Sequence, residues 1–348
     1  MLSFLSPRSR RSGRSRRPWR SRVPLRSGGG ATDILLAASL WGTTGTVRTF
    51  APPDAGPVTI GAARIILGGL VLFVLATRGA GLGRLLGGGR GTWALLALGA
   101  VSVAVYQTAF FAAVARTGVA TGTVVTIGSA PAFTGVLSLL TGQGGPSRRW
   151  TLATAGAVTG CALLVSGGRA AGVEPVGVLL ALLSGLTYAG YATVAGHLIS
   201  RGEDGLAVVG ALFGGAGVLL LPVLLSGGPG TLLTGPGLLV TLYLGVVTTG
   251  LGYALYARGL RTTPVTVATT LGLAEPAVAA LLGLAVLDEH LGGLALAGLA
   301  TLAGGIVLVA TGRTRPRSPG GRVHRDDTWT DATVAAARER AWYRRGSR

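Results

Sequence analysis

Two ionisable residues lie inside long apolar stretches of the sequence. Arg64 stands about seven residues into one stretch, which opens at Pro57, and Glu275 stands about eleven residues into another, next to Pro276. A charged side chain at the centre of a membrane costs ~2.5–3.5 kcal/mol on insertion scales, so each needs a physical reason to be there. Arg64 could bind a carboxylate, pair with an acid such as Glu275, or extend towards lipid headgroups. Glu275 could carry a proton, contact an amine, or, as a neutral acid, hydrogen-bond backbone that Pro276 leaves free.

Aromatic and amide side chains in other apolar stretches could line a cavity. A tyrosine ring offers stacking surface together with a hydroxyl that forms hydrogen bonds. Some tyrosines, Tyr243, Tyr253 and Tyr256 among them, are open to placement at membrane interfaces or helix contacts. Trp41 stands in mid-stretch, where an interfacial role does not apply, and cavity wall and packing partner both stay open. The residues expected to bind a small solute are Trp41, Arg64, Tyr106, Gln107, Tyr188, Tyr191 and Glu275.

Two prolines share a local pattern, since Pro131-Ala132 and Pro276-Ala277 stand 145 residues apart in the chain. Proline has no backbone N–H and interrupts the hydrogen-bond ladder of a helix. The pattern predicts a break at each position. Each break could be the hinge of a gate, or a kink that only shapes the packing.

The sequence lacks the motifs of several classes of enzyme and motor. There is no Lys, which excludes the lysine-containing P-loop of nucleotide-driven motors. The three His and the single Cys stand far apart, so neither a zinc site nor a disulfide is expected. Neither a GxSxG nor an HExxH pattern occurs. We expect no enzyme, no metal and no cofactor, and a proton or solute gradient as any driving force.

The apolar stretches that carry these residues are each about long enough to cross a bilayer. A hydrocarbon core of ~30 Å takes about 20 apolar residues as a helix. The mean hydropathy is +0.58, only 12% of residues are charged, and stretches such as residues 178–196 are apolar nearly all round. We predict an all-α integral membrane protein with ten transmembrane helices, over residues 33–50, 57–77, 93–114, 119–141, 150–167, 176–199, 206–226, 236–258, 264–287 and 291–312.

Arginine is concentrated on one side of the predicted helices. It crowds both termini and the links at residues 78–90 and 148–149, whereas the opposite links are poor in positive charge apart from Arg116 and Arg169. Positive links favour the cytoplasm, so both termini are predicted to be cytoplasmic. Residues 1–32 are expected to form a disordered Arg-rich tail, and residues 313–348 a basic tail. Much of the formal charge of +19 comes from these tails, and no nucleic-acid partner is expected.

The two halves of the chain match each other at a constant offset of 145 residues. Arg116-Thr117 aligns with Arg261-Thr262, and Gly160 aligns with Gly305. This predicts two repeats of five helices, in residues 33–168 and 176–312. An odd number of crossings makes the second repeat enter the membrane from the opposite side. Such inverted repeats can open a central site alternately to either face, as secondary transporters do.

Several of these residues match a known family. Residues 265–289, which include Glu275-Pro276 and end in Glu289, resemble the most recognisable segment of the EamA-like permeases of the drug/metabolite transporter superfamily. Leu40-Trp41-Gly42 resembles the Trp-Gly pair of that family, and Arg64 after Pro57 resembles a further pattern. The resemblance covers residues 33–312 and implies a ten-helix exporter or importer of small organic metabolites, with both termini in the cytoplasm. The fourth helix departs from the family, because it ends in Thr-Gly-Gln-Gly where a Glu is common.

These observations favour a secondary transporter of small organic metabolites, such as amino acids or drugs, that works by alternating access, and we expect export. A flippase or carrier of lipid-linked or sugar-conjugate substrates on the same fold is an alternative. A third interpretation is a membrane-anchored protein whose basic tail binds lipid or nucleic acid, although ten helices exceed what an anchor needs. An integral membrane enzyme would need a polar catalytic cluster, and the sequence has none.

The expected partners are a small-molecule substrate and the lipid bilayer, with protons as a coupling ion. Small residues four apart, as in Gly156 and Gly160, allow close helix contacts and could support a homodimer. The absence of Lys and the 60 Gly are typical of a GC-rich bacterial genome, so the expected location is a bacterial inner membrane.

Overall fold

The computed structural model describes residues 29–141, 146–166, 174–286 and 292–311, and helices make up most of them. The helices are α1 Gly29–Gly42, α2 Thr44–Arg48, α3 Pro57–Thr77, α4 Ala80–Leu86, α5 Arg90–Thr117, α6 Val119–Leu140, α7 Arg148–Ser166, α8 Pro175–Ser200, α9 Gly205–Ser226, α10 Gly235–Leu242, α11 Gly252–Leu260, α12 Val265–Leu271, α13 Ala274–Val286 and α14 Gly293–Ala310. A 3₁₀ helix, Pro229–Leu233, precedes α10, and a π-helix, Tyr243–Leu251, joins α10 to α11. No strand occurs in these residues, as the all-helical prediction requires.

Eight helical stretches of the described chain are long and apolar enough to cross a membrane. The first and fifth of the ten predicted helices are not among them. α1 ends after 14 residues, and α7 begins with two arginines. Length and apolarity therefore support eight crossings and not all ten. The eight stretches are Pro57–Thr77, Arg90–Thr117, Thr121–Leu140, Pro175–Ser200, Gly205–Ser226, Gly235–Leu260, Val265–Val286 and Gly293–Ala310.

The ends of the helical part differ slightly from the prediction. The first helix begins at Gly29 and not at residue 33, so the last four residues of the predicted N-terminal tail are helical. The rest of that tail and the whole C-terminal tail lie outside the described residues. The same holds for Glu289 and for residues 142–144, where the sequence departs from the family pattern.

Pro131 and Pro276 affect their helices differently, which corrects the prediction of matching breaks. α6 continues through Pro131 without interruption. In the second repeat the chain is interrupted at Gly272 and Leu273, between α12 and α13, and Pro276 is the third residue of α13. Proline fits the first turn of a helix because the N–H it lacks would have no partner there. The break therefore precedes Pro276, and the first repeat has no counterpart of it.

Equivalent helices of the two halves pack in antiparallel pairs, α3 with α9 and α7 with α14. Gly160 of α7 lies against Gly298 of α14, and Gly305 of α14 lies against Ala153 of α7. The two contacts are equivalent under the offset of 145 residues, because Gly160 corresponds to Gly305 and Gly298 corresponds to Ala153. A Cβ on Gly160 would lie 2.7 Å from the carbonyl oxygen of Gly298, so the contact requires glycine. The two halves are thus related by an approximate two-fold axis.

The other main contacts between helices also occur as equivalent pairs in the two halves of the chain. α5 packs on α8, and the equivalent pair is α11 with α1. α5 also packs on α9, and the equivalent pair is the π-helix with α3. These contacts bring the side chains of α1, α3, α5, α8, α9 and α11 together in the interior.

Candidate functional site

Aromatic rings from five helices form a continuous cluster in the interior. The ring centroids of Tyr106 and Tyr188 are 5.4 Å apart, and those of Tyr188 and Tyr191 are 5.1 Å apart. Tyr191 lies 6.1 Å from Tyr253, whose ring centroid is 4.9 Å from that of Trp41. These separations suit tilted and edge-to-face contacts. Further rings that extend the cluster belong to Phe110, Phe213 and Tyr256.

The tyrosines of this aromatic cluster differ in exposure. Tyr106 is half-buried, whereas Tyr191, Tyr253 and Tyr256 are almost completely buried. The hydroxyls of Tyr191 and Tyr256 have no hydrogen-bond partner among the described residues. Tyr106 therefore forms part of the accessible surface of the site, and the buried rings form the layer behind it.

Arg64 of α3 is a buried cation. It is 7% exposed, and its Nε has no hydrogen-bond partner among the described residues. Neither of the two ion pairs in the described part of the chain involves it. One turn before it, Gly61 contacts Gln107 of α5, and one turn after it, Gly68 contacts Thr249 of the π-helix, so Arg64 lies where α3 packs on these two segments. A desolvated charge without a counter-charge is costly, so this position favours the binding of an anionic group.

Gln107 of α5 lies against the same part of α3. It is 2% exposed, and its Oε1 has no hydrogen-bond partner in the described chain. Gly61, three residues before Arg64, leaves room for it, since a Cβ on Gly61 would lie 2.8 Å from Nε2 of Gln107 and overlap the ring of Phe111. A buried amide with an unused acceptor is available to a donor that enters the site.

Glu275 stands at the start of α13, directly after the helix break. Its side chain is partly exposed, and it forms no direct ion pair with Arg64. α1 approaches it closely because residue 42 is glycine: a Cβ there would lie 2.8 Å from the carbonyl oxygen of Glu275. Tyr188 reaches the break itself, since a Cβ on Gly272 would lie 3.5 Å from its hydroxyl. An acid, a phenol and an interrupted helix therefore meet at one place.

Threonine hydroxyls anchor α12 to the neighbouring helices. Thr269 shares a hydrogen bond of 2.9 Å with Thr134 of α6, and Thr270 shares one of 2.9 Å with Thr154 of α7. Nε1 of Trp150 donates to a backbone carbonyl of α12 at 2.9 Å. α12 is thus held by α6 and α7, whereas α13 packs on α1, and the break separates the two attachments.

Two ion pairs join helix ends. Asp33 of α1 accepts hydrogen bonds from Nε and Nη2 of Arg258 at 2.6 and 2.5 Å. Glu174, which precedes α8, accepts a hydrogen bond from Nη1 of Arg116 at 2.6 Å. Each ion pair connects the beginning of one helix to the end of another. The two pairs of helices, α1 with α11 and α8 with α5, are equivalent under the offset of 145 residues.

These ion pairs lie at opposite ends of the bundle. α8 begins beside Glu174 and has 26 residues, which is about 39 Å of helix. Its last part reaches the end where α11 finishes, because Gly196 contacts Val265, only a few residues after Arg258. Each end of the helical bundle therefore carries one ion pair.

Among the described residues, no group of three or more His, Cys, Asp or Glu could hold a metal ion. The chemistry at the site is that of one guanidinium, one carboxyl, several phenols and an amide. Such groups bind and orient a small organic solute.

Comparison with known proteins decides the family. A family model described as the EamA-like transporter family matches residues 29–166 and again residues 175–311. The chain belongs to this family. The resemblance that the Trp-Gly pair and residues 265–289 indicate is thereby confirmed, and this EamA-like transporter is a membrane transporter.

Two relatives and one solved structure are similar over most of their length. "Uncharacterized transporter YwfM" of Bacillus subtilis (strain 168) is 37% identical over 277 residues, which cover 80% of this chain and 92% of that protein. "Protein PecM" of Dickeya dadantii (strain 3937) is 29% identical over 283 residues, which cover 78% and 89%. A crystal structure of a protein aligns with a TM-score of 0.68 at 19% identity, covering 81% of this chain and 96% of that one. At that identity it shows the shared fold alone.

The EamA-like transporter brings the predicted site residues into one region, although they come from five helices. The burial of Arg64 excludes an extension towards the headgroups in this conformation. Sequence reasoning left Tyr253 and Tyr256 unassigned and did not consider Phe213. The spacing of three residues between Tyr253 and Tyr256 places both on one helix face and is the signal that could have found them. No comparable signal marks Phe213.

Proposed function

We propose that this EamA-like transporter is a secondary transporter that exports small organic metabolites, such as amino acids or drugs, across the bacterial inner membrane. The observation that carries the proposal is the buried Arg64 guanidinium, whose Nε has no hydrogen-bond partner among the described residues and which lies one turn from the contact of Gly61 with Gln107. A solute that brings a carboxylate would supply the missing counter-charge and charge-assisted hydrogen bonds.

The groups around Arg64 suit the other parts of an amino acid. The carboxylate of Glu275 would bind the ammonium group of the solute. The partly exposed ring of Tyr106, with the buried ring of Tyr188 behind it, would take its apolar side chain by stacking and apolar contact. When no ammonium is bound, a proton would neutralise Glu275, so solute and proton compete for one carboxyl. This exchange is the proposed proton coupling.

Alternating access is the proposed mechanism, with ten crossings arranged as two inverted repeats. α1 with α2, and α7, would be the first and fifth crossings. The antiparallel packing of α3 on α9 and of α7 on α14 supports the inversion, because equivalent helices run in opposite directions. The Asp33–Arg258 and Glu174–Arg116 ion pairs would close the two ends and break in turn.

Both termini are proposed to lie in the cytoplasm. Supporting this, arginines are concentrated at the end of the bundle where α1 begins, and the opposite end carries only Arg48 and Arg116 among the described residues. Positive charge is enriched on the cytoplasmic side of inner-membrane proteins. The arginines at the first end are Arg78, Arg84, Arg90, Arg148, Arg149, Arg201, Arg258 and Arg261.

The test is counterflow in vesicles. The full-length chain is reconstituted into proteoliposomes loaded with an unlabelled amino acid, and uptake of radiolabelled L-phenylalanine, then of each other amino acid and of cationic drugs, is followed. We expect saturable counterflow for at least one amino acid, with an affinity about 10- to 150-fold lower in Arg64→Gln. Equal uptake in protein-free vesicles across the whole panel would disprove the proposed substrate class.

A further inference from the structure

Trp41 occupies the junction between α1 and the irregular part of the eighth predicted helix. It is 4% exposed, and its Nε1 donates to the carbonyl oxygen of Thr248 at 3.0 Å. The two residues are 207 positions apart in the chain. The indole N–H is a hydrogen-bond donor only and has a single proton, so this contact uses its full hydrogen-bonding capacity.

The carbonyl oxygen of Thr248 is available for this bond because, at the end of the π-helix, the N–H of Gly252 bonds to the carbonyl oxygens of Val247 and Thr249. The hydroxyls of Thr248 and Thr249 both donate to the carbonyl oxygen of Leu244, at 2.7 and 2.8 Å. Thr249 stands five residues after Leu244, which is the hydrogen-bond spacing of a π-helix. Hydroxyls that take backbone acceptors compete with the ordinary helix ladder. Gly252 then admits the indole, because a Cβ there would lie 2.8 Å from Nε1 of Trp41.

The same indole ring supports the aromatic cluster. Its centroid lies 4.9 Å from that of Tyr253 and 5.5 Å from that of Tyr256, the two tyrosines of α11. The next residue, Gly42, packs on the backbone of Glu275. One turn of α1 therefore contacts both α11 and α13 beside the solute site.

We infer that Trp41 is a positioning residue of this site: its bond to Thr248 sets the rotation of α11, and with it the place of Tyr253 and Tyr256 in the aromatic cluster. The inference rests on the proposed function, since it concerns the same site. Trp41 acts through the tyrosines and does not contact the solute, because its N–H is engaged and its ring is buried. Without the bond, a change from π to α spacing would rotate α11 by one residue, about 100°.

The test uses matched substitutions in the full-length chain. Trp41→Phe keeps a ring and removes the N–H. Trp150→Phe removes the equivalent bond, of 2.9 Å, from Trp150 to the carbonyl oxygen of Thr266 on α12, outside the aromatic cluster. The first readout is hydrogen exchange of peptides covering residues 243–256. We expect exchange about fivefold faster in Trp41→Phe, the effect of one net hydrogen bond, and no change there in Trp150→Phe.

The second readout is transport kinetics, which distinguishes a role of Trp41 in positioning the site from a role in packing alone. In counterflow with L-phenylalanine, or with whichever amino acid the wild type transports, Trp41→Phe should raise the KM about fivefold and keep the maximal rate within about twofold. Trp93→Phe, which removes an indole bond of 3.1 Å to the carbonyl oxygen of Leu86 at the exposed start of α5, should leave the KM unchanged. Unchanged exchange at residues 243–256, or faster exchange with an unchanged KM, would overturn the inference. If the wild type transports no amino acid, the proposed function fails, and the exchange comparison still decides whether Trp41 holds the π-helix.

Discussion

Asp33 binds Arg258 through two hydrogen bonds at the end of the bundle where α1 begins. The counterpart at the other end is the single bond between Glu174 and Arg116. Both pairs are present together in this conformation. The helices that carry them are exchanged by the two-fold relationship, α1 with α8 and α11 with the end of α5.

Neutralising one ion pair should favour opening of the end at which it lies. Asp33→Asn should favour opening at the end where α1 begins, and Glu174→Gln should favour opening at the opposite end. The measurement is maleimide labelling from each side of the membrane, with a single cysteine at Phe110 in a Cys161→Ser background. Phe110 is half-buried and contacts Tyr106 at the site. We expect shifts of accessibility in opposite directions, and shifts in the same direction for both variants would contradict alternating closure.

Arg64 should recognise the carboxylate of the solute. Arg64→Gln removes the charge, and hydrogen bonds to charged groups contribute about 1.5–3 kcal/mol, so affinity should fall about 10- to 150-fold. Competition of counterflow by L-phenylalanine and by its amide checks this, because the amide lacks the carboxylate. The variant should lose its preference for the acid over the amide. The control is Arg90→Gln, whose side chain is exposed at the start of α5. A preference that survives in Arg64→Gln would assign the carboxylate to another group.

Glu275 should make transport depend on protons. Glu275→Gln keeps the size and polarity of the side chain but cannot exchange a proton. We expect an imposed pH gradient to change flux through the wild type and to leave flux through the variant unaltered, measured in proteoliposomes. Asp54→Asn, in an exposed loop, serves as the matched control. Equal responses to the gradient in Glu275→Gln and the wild type would rule out a proton role for this carboxyl.

The contact between α7 and α14 should tolerate no side chain at its glycines. Gly305→Val would place a side chain against the backbone of Ala153 and Ala157, where a Cβ would already lie 2.7 Å from backbone atoms. Overpacking of this kind costs about 1–3 kcal/mol. Gly304→Val is the control on the same helix, because nothing lies within 4 Å of its Cβ position. Thermal unfolding in detergent should show a lower Tm for Gly305→Val alone, and equal Tm values would argue against this interface.

Much of this architecture was predictable because membrane helices obey local rules. A run of apolar residues must satisfy its own backbone hydrogen bonds within lipid, so hydropathy alone predicts helices such as α3 and α9. The offset of 145 residues that aligns Gly160 with Gly305 is also a property of the sequence. It predicted the pairing of halves that the contact between Gly160 and Gly298 displays. Arg64 and Glu275 were recognisable because charge inside an apolar stretch is costly wherever the stretch lies.

The tertiary structure alone decided how these parts are joined. Pro131 and Pro276 have the same local pattern, yet only the second helix breaks, since α12 is bound by threonines of α6 and α7 and α13 packs on α1. The sequence left the role of Trp41 open, because its acceptor is a backbone carbonyl 207 residues away, and a carbonyl has no residue type to recognise. Likewise, Glu275 lies beside α1 only through the crossing of α1 with α13 at Gly42. Local composition determines which segments enter the membrane, whereas contacts between distant helices determine which side chains face each other.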